Sequence, residues 1–281
     1  MVNKKKELNL KFPLRGKYLI MLAPSFVVDF SYPQIIGQLK ELGFDKIVEL
    51  TFGAKMVNRE YHALLENSNQ LVISTVCPGI VETIKEKFPQ YKKNLIQVVS
   101  PMIAMARVCK KFYPKHKIVF LSPCNFKKSE AKKSGIIDYV IDYRELDEVL
   151  KKQKTSSKNY EFRFDKFYND YTKIYPLAGG LSKTTRLKGI VKKNEVKIID
   201  GISKVSKFLQ KPDKNIKFLD CNFCLGGCIG GPCIVSQEKI NKRRKKVLNY
   251  FAVSQKEEIP KFRIGLVEKA KGINFRLKSF K

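Results

Sequence analysis

Histidine is almost absent: His62 and His116 are the only two in 281 residues. That argues against a zinc site built on imidazole and leaves thiolates to carry any metal. Carboxylates are also scarce, 26 against 56 lysines and arginines, for a formal charge of +30. A field of that size favours acidic partners and speeds their encounter in a salt-dependent way. No run of about 18 apolar residues occurs, so no transmembrane helix and no membrane partner is expected. The N-terminus, MVNKKKELNLKFPLRGKYLIML, is basic but lacks a clean apolar core followed by a small-residue cleavage site. No secretory signal is read there, and a cytoplasmic location is expected. There is no internal repeat, no long low-complexity tract, no aromatic-interleaved ribonucleoprotein pattern and no helix-turn-helix. Nucleic acid has only charge behind it. A lysine-rich proteome would give the same charge, so nucleic acid is disfavoured as a partner.

What is present is cysteine in an unusual arrangement. The segment FLDCNFCLGGCIGG places Cys221, Cys224 and Cys228 within eight residues, among Gly226, Gly227, Gly230 and Gly231. Thiolates this dense on so permissive a backbone suit a metal centre approached closely by main chain. Cys77 (STVCPGI) and Cys124 (LSPCNFKKSEA) lie far upstream, each beside a proline. Seven cysteines in a chain with no export signal read as metal-binding or catalytic rather than as a disulfide framework.

The hydrophobic fraction of 43% is ordinary for a globular protein, and the chain is long enough for one large domain or two packed lobes. The first half alternates strand and helix signals, which predicts α/β architecture with mostly parallel sheets flanked by helices. Strands are predicted over Lys17–Pro24, Lys46–Leu50, Leu71–Thr75, His116–Pro123, Val196–Gly201 and Ile216–Asp220. Helices are predicted over Pro33–Leu42, Ala54–Asn67, Ile80–Phe88, Pro101–Phe112, Ile202–Leu209 and Gln237–Phe251. Residues 1–16 read as a basic extension and 17–255 as the functional domain. Its two lobes, 17–150 and 171–255, are joined by a polar surface segment over Lys151–Asp170, and 256–281 read as a basic tail. Ala23-Pro24-Ser25, Cys77, Cys124 and the Cys221/Cys224 pair all fall just past the carboxyl ends of predicted strands. That is where open α/β sheets place their ligands.

Spacing alone leaves two ligand sets open. Cys221, Cys224, Cys228 and Cys233 could make a local four-thiolate site for a cubane or a zinc ion. Cys77, Cys124, Cys224 and Cys228 could make a composite site assembled across the fold. A third reading makes these cysteines small buried apolar residues, a common fate of free cysteine.

The composite set carries a resemblance. The chain resembles the catalytic domain of FeFe-hydrogenases, whose three cysteine motifs are T-S-C-C-P, M-P-C-x-x-K-K-x-E and C-x-G-G-C-x-x-G-G. Here they stand, in order, as Ser74-Thr75-Val76-Cys77-Pro78, as Ser122-Pro123-Cys124-Asn125-Phe126-Lys127-Lys128-Ser129-Glu130, and as Cys224-Leu225-Gly226-Gly227-Cys228-Ile229-Gly230-Gly231. LAPSFVVDF, Ser100-Pro101 and PLAGGLSKT add further marks, so the likeness runs from about Lys17 to Phe251. It implies two lobes around a buried H-cluster. Cys77, Cys124, Cys224 and Cys228 would hold a 4Fe-4S cubane. Cys228 would also bridge to a di-iron subsite bearing carbonyl, cyanide and a dithiolate bridge. Lys127 would hold one cyanide by a charge-assisted hydrogen bond. The Ala23-Pro24-Ser25 backbone and the Ser25 hydroxyl would hold the other. The bland alternative for Lys127 and Lys128 is a solvated lysine pair.

Departures from the pattern bear on activity. The proton-relaying cysteine that precedes the cubane ligand is Val76 here, which cannot transfer a proton. Ser122 replaces a methionine and Met102 a glutamine, and the glutamates of the usual proton path would fall near Glu60 to Glu66. Divergent members that act as hydrogen sensors also lack the relay cysteine. No cysteine precedes Cys77, so no N-terminal ferredoxin-like module is expected within this chain. An acidic ferredoxin would then deliver electrons directly, and maturation proteins would build the subsite. The resemblance thus implies a minimal hydrogenase interconverting protons and H2. Its rivals are a slow hydrogen sensor, an iron–sulfur carrier with a bare cubane, and a zinc-stabilised nucleic-acid binder.

Overall fold

The structure, a computed structural model, describes residues 10–155 and 162–277. In chain order the elements are β1 (Tyr18–Leu22), α1 (Gln34–Glu41), β2 (Lys46–Glu49), α2 (Thr51–Glu66), β3 (Val72–Ile73), α3 (Pro78–Lys87) and α4 (Pro101–Phe112). They continue with β4 (Lys117–Ser122), α5 (Phe126–Ser134), β5 (Tyr139–Asp142), α6 (Tyr143–Lys152), α7 (Gly180–Thr184), β6 (Val196–Asp200), α8 (Ile202–Gln210), β7 (Phe218–Asn222) and α9 (Ile240–Ser254). Short 3-10 turns join several of them. Among the described residues no helix is long and apolar enough to cross a membrane.

The strands form two parallel sheets. One has the order β2-β1-β4-β5 and the other β3-β7-β6. Strands such as YLIML and KIVFLS are apolar almost throughout because helices cover both faces of the first sheet. Pro78 and Pro101 stand at the first helical position of α3 and α4, where a missing N–H costs nothing and φ is already set. The turns ahead of these helices therefore carry Cys77 and Ser100 at fixed places. The carboxyl ends of both sheets converge on one region between them.

The predicted elements stand within a few residues of the observed ones, and four segments differ. No element is predicted between Cys124 and Lys152, where the structure has α5, β5 and α6. α6 is started by an Asp142–Glu145 capping box in which the Asp142 carboxylate accepts from the amides of Arg144 and Glu145. Of the segment predicted as a polar excursion, 156–161 lie outside the described residues, and 162–170 turn inward. Phe164 and Phe167 are buried, Phe167 stacks on Phe52 at 5.7 Å, and the Asp165 carboxylate accepts from the Ile47 amide at 2.7 Å. The polar residues there anchor a sheet edge while the aromatics between them enter the core.

The predicted tail also packs. Phe275 is buried, its carbonyl accepts from the Val99 amide at 3.0 Å, and the Gln97 carbonyl accepts from Leu277 at 2.9 Å; residues 278–281 lie outside the description. Of the predicted N-terminal extension, 1–9 are not described, and Leu10 and Leu14 are core residues. Finally, the sheets do not follow the division at 150 and 171. β3, from the first half, pairs with β7 of the second, Val72 opposite Phe218 and Ile73 opposite Leu219.

Candidate metal centre

A cavity of about 90 Å³ lies between the carboxyl ends of the two sheets. Its walls are mostly apolar, from Pro24, Met102, Phe120 and Pro176 among others, and Cys77, Cys124, Cys228 and Lys127 enter them. Each cysteine is placed by a different device. Cys77 is the N-cap residue of α3. Cys124 sits between β4 and α5, where the Ser122 hydroxyl accepts from its amide at 3.1 Å and donates to its carbonyl at 2.9 Å. Cys228 opens a 3-10 turn, and its amide donates to the Pro176 carbonyl at 2.7 Å. Cys224 lies on the turn after β7 and does not line the cavity itself.

Two glycines make this arrangement possible. Gly227 has φ +81°, and a Cβ there would run into the Pro176 carbonyl and the Ala178 amide. A Cβ on Gly231 would lie 2.3 Å from the Pro123 carbonyl oxygen, a clash. The Gly231 contact holds the Cys228 turn against the Cys124 turn, which comes from the other sheet.

The four cysteines of the composite set sense one another electrostatically. Burial pushes the Cys228 and Cys124 thiols up, with further upward pressure from Cys77 and, at Cys228, from Cys124 and Cys224. Cys224 is pushed up to about 12 by burial and then by Cys77 and Cys124. Cys124, Cys224 and Cys228 so placed resist ionising as free groups, and a polycationic metal group resolves that conflict by taking up the thiolate charge.

The local set does not assemble. Cys221 is fully buried beneath α3, its amide donating to the Ser74 hydroxyl at 3.0 Å. Cys233 donates from Sγ to Asn125 Oδ1 at 3.1 Å. Cys109 is a core residue of α4. Among the described residues no three His, Cys, Asp or Glu approach closely enough for a single metal ion. The single-zinc reading therefore lacks a donor set, whereas a cluster spreads its thiolates over its own width.

The other singled-out residues fall as follows. Ala23, Pro24 and Val76 line the cavity. Ser25 is fully buried behind that wall, its Oγ hydrogen-bonded to the Tyr143 hydroxyl at 2.7 Å. Lys127 is largely buried, with Nζ at 2.7 Å from Glu130 Oε2 and 3.4 Å from the Val76 carbonyl. Lys128 instead pairs with Asp142 and Glu145, so the two lysines are not one solvated pair. Glu60 pairs with Arg276 at 2.6 Å and Glu66 is exposed, so neither carboxylate faces the cavity.

Sequence reasoning missed two features. Thr51, Thr172 and Tyr175 also line the cavity, and among the described residues the buried Tyr175 hydroxyl has no hydrogen-bond partner. Behind Thr172, the fully buried Lys173 reaches Glu49 Oε2 and the Tyr250 hydroxyl, each at 2.7 Å. Its ammonium lies over the rings of Tyr32, Phe164, Tyr168 and Tyr250, 4.1 Å from the last centroid. In a chain with 56 basic residues nothing marks this lysine out.

The donor set fits an iron–sulfur group. Three half-buried cysteines, Cys77, Cys124 and Cys228, meet in the cavity with Cys224 on an adjoining turn, no imidazole lines it, its walls are mostly apolar, and Lys127 enters them.

Comparison with known proteins is consistent with this geometry. A family model described as iron only hydrogenase large subunit, C-terminal domain, matches residues 17–232. Iron hydrogenase 1 of Clostridium pasteurianum is 28% identical over 255 residues, 70% of this chain and 44% of that protein. The chain thus spans less than half the length of that curated relative. The solved structure of HydA(deltaEFG), from work on stepwise [FeFe]-hydrogenase H-cluster assembly, has a TM-score of 0.64 at 16% identity, covering 87% of this chain and 86% of that one. A variant of apo [FeFe]-hydrogenase HydA1 from Chlamydomonas reinhardtii has a TM-score of 0.65 at 16% identity, over 83% and 84% of the two chains. At such identity these structures establish a shared fold, the helix-flanked parallel sheets described above.

Proposed function

The chain belongs to the iron-only hydrogenase large subunit family, as its C-terminal domain, and from that premise we propose that it holds an H-cluster and interconverts protons and H2. The observation that carries the reading is the meeting of Cys77, Cys124 and Cys228 with Lys127 in one apolar cavity. Cys77, Cys124, Cys224 and Cys228 would ligate a 4Fe-4S cubane, with Cys228 shared to a di-iron subsite bearing carbonyl, cyanide and a dithiolate. That group supplies the redox chemistry and the hydrogen-binding metal.

The protein's part is ligation, orientation and exclusion of water. Lys127 would donate to a cyanide, and its Glu130 partner fixes the ammonium while it does so. The Ala23–Pro24 wall would lie against the other side, steadied through Ser25 and the Tyr143 hydroxyl. Val76 carries no transferable proton, so we infer slow turnover. The same feature supports a second reading, a hydrogen sensor built on the same cluster.

Electrons would come from a small acidic carrier of the ferredoxin kind. Its landing place would be the face beside Cys224, where Leu225 is 56% exposed and Ile198 43%. Lys197, Lys204, Lys207 and Lys211 border the groove there. Among the described residues these four make no salt bridge, while neighbouring Lys217 pairs with Glu195. The cluster loop and this face are joined, since the amides of Gly201 and Ile202 donate to the carbonyls of Asn222 and Phe223.

The test is infrared spectroscopy of protein matured anaerobically with a synthetic di-iron precursor. Bands of metal-bound carbonyl and cyanide are expected, and Cys228→Ala should abolish them. Iron and sulfide near four per chain without such bands would make the protein a cubane carrier.

A further inference from the structure

The chain that leaves the Cys228 turn is held by side chains rather than by a ladder. Past the 3-10 turn Cys228–Gly230 it enters no strand or helix until α9 begins at Ile240. α9 supplies much of what holds it. In the basic run at 242–246, Lys242, Arg244 and Lys245 are exposed, as a solvated face would be, while Arg243 is half-buried. Its guanidinium donates to three main-chain carbonyls of that segment. Nη1 reaches Ile229 at 2.9 Å, Nε reaches Glu238 at 2.8 Å and Nη2 reaches Ser236 at 2.5 Å.

The same helix face also grips the opposite wall of the site. Lys246, three residues on, donates to the Val28 carbonyl at 3.0 Å. Tyr250, four further on, packs edge-on against Phe26 at 5.4 Å. Residues three and four apart share one helix face. The 3-10 turn Pro24–Val28, whose Pro24 lines the cavity, is thus referred to the same element as the turn that carries Cys228. Asp29 closes the frame, its carboxylate accepting from the amides of Val235 and Ser236 at 2.8 and 2.9 Å. Ser236 is therefore held at its amide by Asp29 and at its carbonyl by Arg243.

The contact nearest the thiol is the Ile229 carbonyl, and Ile229 follows Cys228 directly. On the other side the Cys228 amide donates to the Pro176 carbonyl at 2.7 Å. Cys228 is fixed before and after. We propose that Arg243 is a positioning residue that sets where the Cys228 sulfur stands against the Pro24 wall. This rests on the reading of Cys228 as a cluster ligand. The planar guanidinium presents its N–H groups in a fixed fork and can meet several carbonyls at once. A lysine ammonium is a point charge on a flexible stem and cannot hold the same directions.

Arg243→Lys keeps the charge and removes the fork, Arg243→Gln removes both, and Arg244→Lys repeats the conservative change on the exposed neighbour. Each is first given a cubane alone, by anaerobic reconstitution with iron and sulfide, and is then matured with the di-iron precursor. Both Arg243 variants should displace the electron paramagnetic resonance signal of the reduced cubane and the carbonyl and cyanide bands, while Arg244→Lys matches wild type in both. The di-iron group should leave the Arg243 variants about tenfold faster under a chelator, the low end for hydrogen bonds from a charged donor. A merely structural arginine would lower the melting temperature and leave both signals in place, and that result would overturn the proposal. So would wild-type signals in Arg243→Lys alone, since charge would then suffice without the fork. Failure of both Arg243 variants to fold, seen by circular dichroism of the cluster-free proteins, would make Arg243 a residue of the fold and also overturn it. A wild-type cubane signal without carbonyl or cyanide bands would remove the di-iron subsite from the reading, and the cubane signal would then decide the role of Arg243 by itself. No cluster of either kind in the wild type would sink both.

Discussion

At the scale of single residues, the site is a set of groups that are uncomfortable in isolation. Cys124, Cys224 and Cys228 are held against ionisation by burial and by neighbouring cysteines, the Tyr175 hydroxyl has no hydrogen-bond partner among the described residues, and Lys127 sits largely buried with one carboxylate. A thiolate-bound metal group would relieve the cysteines by taking up their charge. Val76 is the exception, an apolar side chain where proton transfer would be useful. If the missing relay limits turnover, Val76→Cys should raise hydrogen evolution by about a hundredfold, the low end of what a positioned proton donor contributes; an unchanged rate would place the limit elsewhere.

Asp220 gives a pH signature. Burial raises its carboxyl above the usual range, and the Ser182 amide and hydroxyl only partly offset this. The folded state therefore holds its proton where the unfolded chain has lost it, so stability falls as pH rises from about 3.9 toward the raised value. Urea denaturation of the cluster-free protein should show Asp220→Asn gaining on wild type as pH rises through that window. Constant separation between the two curves would contradict the assignment.

The composite cysteine set was legible in the sequence because order, spacing and flanking proline and glycine are all linear properties. The orphaned hydroxyl of Tyr175 and the caged ammonium of Lys173 were not. They depend on which atoms fail, or manage, to find partners across the fold.

At the scale of elements, the parallel strands were readable because burial on both faces turns them into short apolar runs. The β5–α6 unit was hidden for the opposite reason, since YVIDYRELDEVLKK mixes charges into both elements. Its clearest mark was the Asp142/Glu145 spacing of a capping box. That cap has consequences at a distance, because α6 carries Tyr143, which holds Ser25 behind the cavity wall. Asp142 also receives Lys128 at 2.7 Å. Asp142→Ala should cost about 1–2 kcal/mol in chemical denaturation, while the thiol ligands, which lie on other turns, keep their iron.

The aromatic segment at 162–170 misled for a compositional reason: its charged residues outnumber the rings that bury. The paired Lys173 and Glu49 behind it are poor evidence for stability, since burying two charges costs as much as their attraction returns. Their value lies in fixing the one arrangement of β2, α9 and the Thr172 turn that satisfies both.

At the scale of the whole molecule, the charge of +30 is not evenly answered. Lys133 finds Glu82, and Lys128 finds two carboxylates, but among the described residues the lysines of the groove between β6 and α8 make no salt bridge. If an acidic carrier lands there, reversing Lys204, Lys207 and Lys211 to glutamate should slow association with an acidic [2Fe–2S] ferredoxin by about tenfold or more at low salt. The same triple reversal at the exposed Lys87, Lys92 and Lys93 should do much less. Equal effects of the two, measured by stopped flow, would mean that only net charge matters.

The two sheets meet at the cavity, and their cysteines are divided between them. Cys124 follows β4 of one sheet; Cys77 follows β3, and Cys224 and Cys228 follow β7, of the other. Whatever the four bind together therefore fastens one half of the molecule to the other. Binding confined to the folded state raises stability by mass action, so a loaded chain would outlast an empty one. Inside a cell the abundance of this protein would follow its cofactor supply, because chains never loaded, or stripped later, would open along that seam and reach proteases first.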